Sequence, residues 1–85
     1  MAQRATTTDL EFLRRLDAWI ARGLPAYSFA EQEGIAAGTI TYRVRTYGLL
    51  CKRAVGLVDV RTGRSFQELL DAGEIVVAEP AGVAA

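Results

Sequence analysis

Histidine is absent from this chain of 85 residues, and Cys51 is its only cysteine. One thiol cannot close an internal disulfide, and without histidine the chain has no Cys/His set for zinc. Nucleophilic chemistry at Cys51 would need an activating base, so we interpret this residue as a small core residue. The carboxylates are scattered, and no acid/base pair stands out. We therefore expect no metal, no cofactor and no enzymatic activity.

Long apolar runs are also missing, since nowhere do about 18 apolar residues follow one another without a charge. The N-terminus lacks the basic-then-apolar order of a signal peptide. Hydrophobic residues make up 51% of the chain and charged residues 24%, as in ordinary globular domains. A chain this short supports one hydrophobic core. We expect residues 1–85 to form a single cytoplasmic domain that makes no contact with membranes.

The formal net charge of zero is distributed unevenly along the chain. Residues 1–33 carry a net charge of −1, residues 34–64 of +5, and residues 65–85 of −4. Binding to a polyanion depends on the local field over a Debye length of about 10 Å. The neutral total therefore does not argue against a polyanionic partner for the basic middle segment. Alternatively, the basic and acidic segments simply pair with each other.

Three capping boxes predict where helices begin, because each has a serine or threonine followed three residues later by glutamate. They are Thr8 with Glu11, Ser28 with Glu31, and Ser65 with Glu68. The first predicted helix has an apolar stripe that includes Trp19 as a core residue, and it ends at Gly23. Residues 24–27 contain Pro25 and are predicted to be a loop, and Gly34 ends the second helix.

Beyond the middle of the chain, the pattern predicts a strand, a helix and a second strand. Residues 55–60 are rich in β-branched side chains and are followed by turn residues 61–64. The helix that starts at Ser65 ends at Gly73, and residues 75–78 form the second strand. We interpret the two strands as antiparallel partners. Residues 80–85 are small and without periodicity, so we expect a frayed, flexible tail.

The stretch FAEQEGIAAGTITYRVRTYGL, residues 29–49, resembles the helix-turn-helix of homeodomain-like regulators, resolvases and transposases. In that family a small residue of the first helix packs under the second, a glycine makes the turn, and an apolar residue follows. Ala30, Gly34 and Ile35 match these three places. The second helix and its exit are matched by Thr39, Ile40, Val44, Tyr47, Gly48 and Leu49.

Residues 39–47 leave two interpretations open. They are mostly β-branched or aromatic, and Ile40, Tyr42 and Val44 alternate as in a strand. The turn glycine, the preceding capping box and the final Tyr-Gly-Leu favour a helix. The chain also departs from the family at Ala36, where a serine or threonine cap is usual, and at Arg43, where an apolar residue is usual. A strand would still leave a basic ribbon suited to a major groove.

The resemblance implies that the second helix binds DNA with the face opposite its core. Hydroxyl and guanidinium groups on such a face suit phosphates and base edges. The candidate DNA-binding residues are Thr39, Thr41, Tyr42, Arg43, Arg45, Thr46, Lys52 and Arg53. We expect a sequence-specific double-stranded DNA-binding protein, namely a nucleoid-associated transcription regulator of bacterial, plasmid or phage type. We expect it to act as a homodimer, because one such module offers few contacts.

The expected fold class is α+β, mainly α. A helical helix-turn-helix core over residues 28–49 is followed by a small strand-helix-strand unit over residues 54–79. Two other functions fit the same sequence. One is a protein-interaction module, such as a phage-type inhibitor or adaptor, that docks on a host protein through its acidic end. The other is a recombination accessory factor.

Overall fold

The computed structural model describes residues 3–77. The helices are α1 (Thr7–Ala21), α2 (Ala26–Glu33), α3 (Ala37–Thr46) and α4 (Phe66–Asp71). The strands are β1 (Gln3–Ala5), β2 (Leu49–Lys52), β3 (Gly56–Asp59) and β4 (Ile75–Val77). The predicted class, α+β with helices dominating, is confirmed.

Helix α1 begins two residues earlier than predicted. Its N-cap is Thr6, whose backbone is extended and whose hydroxyl accepts a hydrogen bond from the Asp9 N–H at 3.1 Å. The capping box predicted at Thr8 is therefore wrong, and Thr8 lies inside the helix. Three consecutive threonines offer the same hydroxyl, so local chemistry does not distinguish among them. The predicted end at Gly23 is confirmed by its left-handed backbone, with φ +86°.

Helix α2 also begins two residues before its predicted cap. Its N-cap is Pro25, which provides no side-chain hydrogen bond to the helix. The hydroxyl of Ser28 does not cap the helix but donates to the Pro25 carbonyl at 2.8 Å. The predicted loop over residues 24–27 is correspondingly shorter, because Ala26 is already helical. The predicted end is confirmed, since Gly34 is left-handed with φ +71°.

Residues 37–46 form a helix, so the helical interpretation is confirmed over the strand. Ile40 and Val44 lie four residues apart and are both buried, as one helix face requires. No side chain caps the helix at Ala36. The burial of one face against α2 and strand β2 stabilises α3 in spite of its β-branched composition.

The strand pairing differs from the prediction. β3 pairs antiparallel with β2, a strand that was not predicted, and β4 pairs parallel with β1. The predicted antiparallel pairing of the two C-terminal strands is therefore wrong. Because only three residues separate β2 from β3, this hairpin closes a much shorter loop than the predicted pairing would.

The segment after β3 follows the sequence prediction closely. The capping box at Ser65 is confirmed, because its hydroxyl accepts from the Glu68 N–H at 3.1 Å and the Glu68 carboxylate accepts from the Ser65 N–H at 3.3 Å. Gly73 is left-handed at the end of α4, with φ +72°. The predicted frayed tail, residues 80–85, lies outside the described residues.

The hydrophobic core is centred on α1. Its largest fully buried side chains are Leu13, Leu16, Leu49, Leu57 and Phe66. The aromatic rings of Phe12 and Trp19 each meet Phe29 edge-on, with centroids 5.6 Å apart. The indole N–H of Trp19 donates to the Pro25 carbonyl at 2.9 Å. Trp19 therefore joins α1 to the start of α2, as expected of a core residue.

Candidate nucleic-acid interface

Helices α2 and α3 are joined by the three-residue turn 34–36. The turn depends on Gly34, whose positive φ is strained for any residue with a side chain. The Ile35 N–H then bonds back to the Ala30 carbonyl at 3.0 Å. Phe29 and Ala30 from α2 share one core with Ile40 and Val44 from α3. This arrangement buries one face of α3 and leaves the other face exposed.

Four of the predicted DNA-binding residues lie on α3 with exposed side chains: Thr41, Tyr42, Arg45 and Thr46. Tyr42 is 74% exposed, although its ring is large and mostly apolar. Gly38 lies one turn before Tyr42 and has open space around its α-carbon. The Thr46 hydroxyl donates to the Tyr42 carbonyl at 2.7 Å and is therefore partly engaged with the helix backbone. Thr41, Tyr42 and Arg45 are thus the side chains most accessible to a ligand.

The other two predicted residues of α3, Thr39 and Arg43, lie towards the core and are only partly exposed. The Arg43 guanidinium lies over the Phe12 ring, 4.7 Å from its centroid. Its Nε atom is 4.0 Å from Asp9 Oδ1. Arg43 is thus engaged within the protein, whereas the sequence pattern placed it among the candidate DNA-binding residues.

A hydrogen bond at the end of α3 also holds the helix against α1. The Tyr47 O–H donates to Asp9 Oδ2 at 2.6 Å, and Gln3 Nε2 donates to the Tyr47 carbonyl at 2.8 Å. Burial, helped by the hydrogen bond to Asp9, raises the pKa of Tyr47 to about 12. Sequence reasoning placed Tyr47 in the core but missed Asp9, because the two residues are far apart in the chain.

Lys52 and Arg53 are exposed at the tip of the β2–β3 hairpin. The tip is held by α1 through two hydrogen bonds. The Ala54 N–H donates to the Ile20 carbonyl at 3.0 Å, and the Leu57 N–H donates to Asp17 Oδ1 at 2.7 Å. The hairpin is therefore a fixed ribbon that carries two cations at its end.

Residues from α3 and the hairpin meet along one groove. Thr41 and Arg45 line it from α3, while Leu50 and Cys51 line it from β2. Strand β2, which ends at Lys52, therefore lies beside the exposed face of α3. The structure thus brings Thr41 and Arg45 close to the strand that leads to Lys52.

Within residues 3–77, three arginines form ion pairs: Arg15 with Glu33, Arg43 with Asp9, and Arg64 with Glu74. Among these pairs, the one between Arg64 and Glu74 joins the basic middle segment to the described part of the acidic C-terminal segment. Mutual pairing therefore neutralises little of the basic segment in the part of the chain that is described. Four cations of the basic middle segment form no ion pair within residues 3–77, namely Arg45, Lys52, Arg53 and Arg61.

Comparisons with known proteins give no relative: no family model, no curated protein and no solved structure matches this chain. Among the described residues, no three histidine, cysteine, aspartate or glutamate side chains are grouped as a metal site requires. Over the same range, no helix combines the length and apolar character needed to cross a bilayer.

Proposed function

We propose that this chain is a sequence-specific double-stranded DNA-binding protein that acts as a small transcription regulator. The observation that carries the proposal is the exposed face of α3, next to a hairpin with cations that have no acidic partner among residues 3–77. An α-helix with its side chains is about 10–12 Å in diameter and fits a major groove about 12 Å wide, and the ten residues of α3 extend about 15 Å along its axis.

In this proposal α3 reads the bases. Arg45 donates to a guanine edge with its guanidinium, as arginine commonly does in the major groove. Thr41 lies one turn earlier on the same side of the helix and donates or accepts through its hydroxyl. The exposed ring of Tyr42 supplies an apolar contact, for which a thymine methyl group is the natural partner.

The hairpin positions the protein on the phosphate backbone. Arg61 lies two residues after the end of β3, and Lys52 and Arg53 form the tip of the hairpin. If these three cations contact phosphates, the logarithm of the binding constant falls against the logarithm of salt with a slope of about −2.7. A homodimer on two half-sites doubles this slope to about −5.4.

The test is selection of bound sequences from random duplexes, followed by anisotropy titrations of the selected duplex at several salt concentrations. Arg45→Ala is expected to weaken selected binding, and Lys52→Ala is expected to reduce the salt slope by about 1. Arg14→Ala is the matched control, because Arg14 is an exposed arginine on α1. Recovery of no sequence, with salt-independent binding, refutes the proposal.

We also propose that the protein acts as a homodimer, because one module of this size offers few base contacts. Val76 and Val77 of β4 are partly exposed and provide an apolar surface for a second copy. Light scattering at micromolar concentration is the measurement. The dimer is contradicted if the free protein has the mass of one protomer and the complex has the mass of one protomer plus one duplex.

A second candidate function is docking on a host protein through the acidic end. It is favoured by α4, on which Glu68 and Asp71 are exposed. Retention on heparin and a shift of duplex DNA at moderate salt are expected of a DNA-binding protein. A protein that docks through α4 gives neither. A recombination accessory factor, in contrast, shares the DNA-binding surface proposed above.

A further inference from the structure

A groove of about 300 Å³ lies between α3, the start of α2 and strand β2. Its deepest part is formed by buried apolar side chains, including Ile40 and Leu49. Small-molecule sites have volumes from about 300 Å³ upwards and are mostly apolar with a few polar groups. This groove is therefore large enough for one compact molecule.

Two large apolar side chains lie exposed at the edge of this groove. Tyr27 is 64% exposed and Leu50 is 42% exposed, and both line the groove. Exposed apolar side chains grouped around a concave surface are typical of a binding site.

Among residues 3–77, the lining of the groove includes one cation and no anion. Arg45 is the charged residue among its lining residues, and it forms no ion pair within residues 3–77. Thr41 lies one turn earlier on the same side of α3 and adds a hydroxyl. A guanidinium beside an apolar surface matches a carboxylate, because its N–H groups bind both oxygens at once.

We propose that this groove binds a small organic carboxylate with an apolar body. The carboxylate binds Arg45, with the Thr41 hydroxyl beside it, and the apolar body lies on Ile40 and Leu49. The volume favours a single aromatic ring or a branched aliphatic chain over a larger ligand. Charge complementarity with Arg45 selects the anion over a neutral molecule of the same shape.

Occupation of the groove would withdraw Arg45 and Thr41 from DNA, and this consequence rests on the proposed function. Because coupling between two ligands is reciprocal, a carboxylate that weakens DNA binding is itself displaced by DNA. The site would then make DNA binding sensitive to a small acid. Binding of the acid to the protein alone does not depend on this consequence.

The probe for the site is 3-phenylpropionate, and 3-phenylpropionamide is its neutral control of matched shape. We expect amide resonances of groove residues in the full chain to shift saturably with 3-phenylpropionate, with a dissociation constant on the order of 1 mM or lower. The amide is expected to bind about tenfold more weakly or worse, because it lacks the charge that Arg45 recognises. Equal binding of the two probes, or no saturable shift with the acid, overturns the proposal.

Variants test the assignment to Arg45. Arg45→Gln is expected to weaken binding of 3-phenylpropionate by about tenfold or more, and Arg45→Lys to weaken it less, because lysine keeps the charge without the planar fork. Arg14→Gln, on an exposed part of α1, is the control and is expected to bind the acid as the parent does. A dispersed, parent-like spectrum of Arg45→Gln shows that it is folded. Parent-like binding by that variant overturns the proposal.

A titration with the selected duplex separates this proposal from the proposed function. If 3-phenylpropionate binds the groove and no duplex is bound, the site is supported and DNA binding is refuted. If the duplex binds and the acid does not, DNA binding is supported and the site is refuted. If both bind, the acid is expected to weaken the duplex affinity, and an unchanged affinity refutes the regulatory consequence.

Discussion

Substitution of Gly56 by alanine is expected to be among the most destabilising single-methyl changes in this protein. Gly56 begins β3 with φ +122°, a conformation that side chains rarely adopt. A Cβ atom built there would lie 2.3 Å from Asp17 Oδ1 and 3.3 Å from the Asp17 carbonyl oxygen. The same Oδ1 atom accepts the hydrogen bond from Leu57 that holds the hairpin to α1.

Two costs therefore arise from one methyl group. The positive φ costs about 1 to 3 kcal/mol, and loss of the charged hydrogen bond costs about 1.5 to 3 kcal/mol. Partial relaxation makes the sum less than additive, so we expect the free energy of unfolding to fall by about 2 to 5 kcal/mol. A domain of this size has about 5 to 15 kcal/mol in all, and the loss is a large share of it.

The assay is urea unfolding monitored by circular dichroism. The slope of the unfolding free energy against urea concentration should be the same in the variant and the parent. Gly63→Ala is a control for a positive φ without a clash, because Gly63 has φ +74° and open space around it. Asp17→Ala combined with Gly56→Ala removes the clash and is expected to show favourable coupling in a double-mutant cycle. If Gly56→Ala and Gly63→Ala destabilise equally, the packing of Asp17 on Gly56 is refuted.

The turn at Gly34, the Tyr47 hydroxyl and the exposed face of α3 can each be tested by substitution. Gly34→Val is expected to destabilise the fold by about 1 to 3 kcal/mol, since the turn needs a positive φ, and a melting curve like that of the parent contradicts this. Because folding raises the pKa of Tyr47 from 10.0 to about 12, its contribution to stability is complete below pH 10 and is lost as pH rises to 12. Urea titrations over this range should show a loss of at most about 2 to 3 kcal/mol, and Tyr47→Phe should remove that part of the pH dependence. Arg45→Ala and Thr41→Ala are each expected to weaken specific DNA binding by about 1 to 3 kcal/mol without changing the melting temperature, and a lower melting temperature with intact affinity assigns the residue to the core.

The candidate interface was only partly predictable from the sequence. The pattern around Gly34 predicted a helix with an exposed face, and it predicted that Thr41, Tyr42 and Arg45 would lie there. The same pattern placed Arg43 among the DNA-binding residues, whereas the structure sets it over Phe12 and beside Asp9. That contact joins residues more than 30 positions apart in the chain, and helical periodicity carries no information about it.

The groove beside Arg45 was not predicted at all. It depends on β2, whose four residues Leu49–Lys52 carry no distinct strand signal. Its walls come from α3 and from two segments that lie before and after α3 in the chain, namely the start of α2 and strand β2. No local pattern specifies how far apart such segments lie once they are folded.

The sequence by itself determined where three helices end and where one begins. Gly23, Gly34 and Gly73 end α1, α2 and α4 because a left-handed residue is needed there and glycine adopts it without strain. Ser65 caps the start of α4 through two hydrogen bonds within one turn. Its hydroxyl accepts from the Glu68 N–H, and the Glu68 carboxylate accepts from the Ser65 N–H. These features are local, so a short window of residues contains the whole physical cause.

Only the tertiary structure decided which strands pair and which threonine caps α1. Parallel pairing of β1 with β4 joins residues some 70 positions apart, and β3 takes β2 as its partner because that hairpin closes the shorter loop. Thr6 caps α1 in preference to Thr8, and the first turn of that helix places Asp9 against Tyr47. Such choices depend on contacts between distant residues, whose free energy appears only when the whole core has assembled.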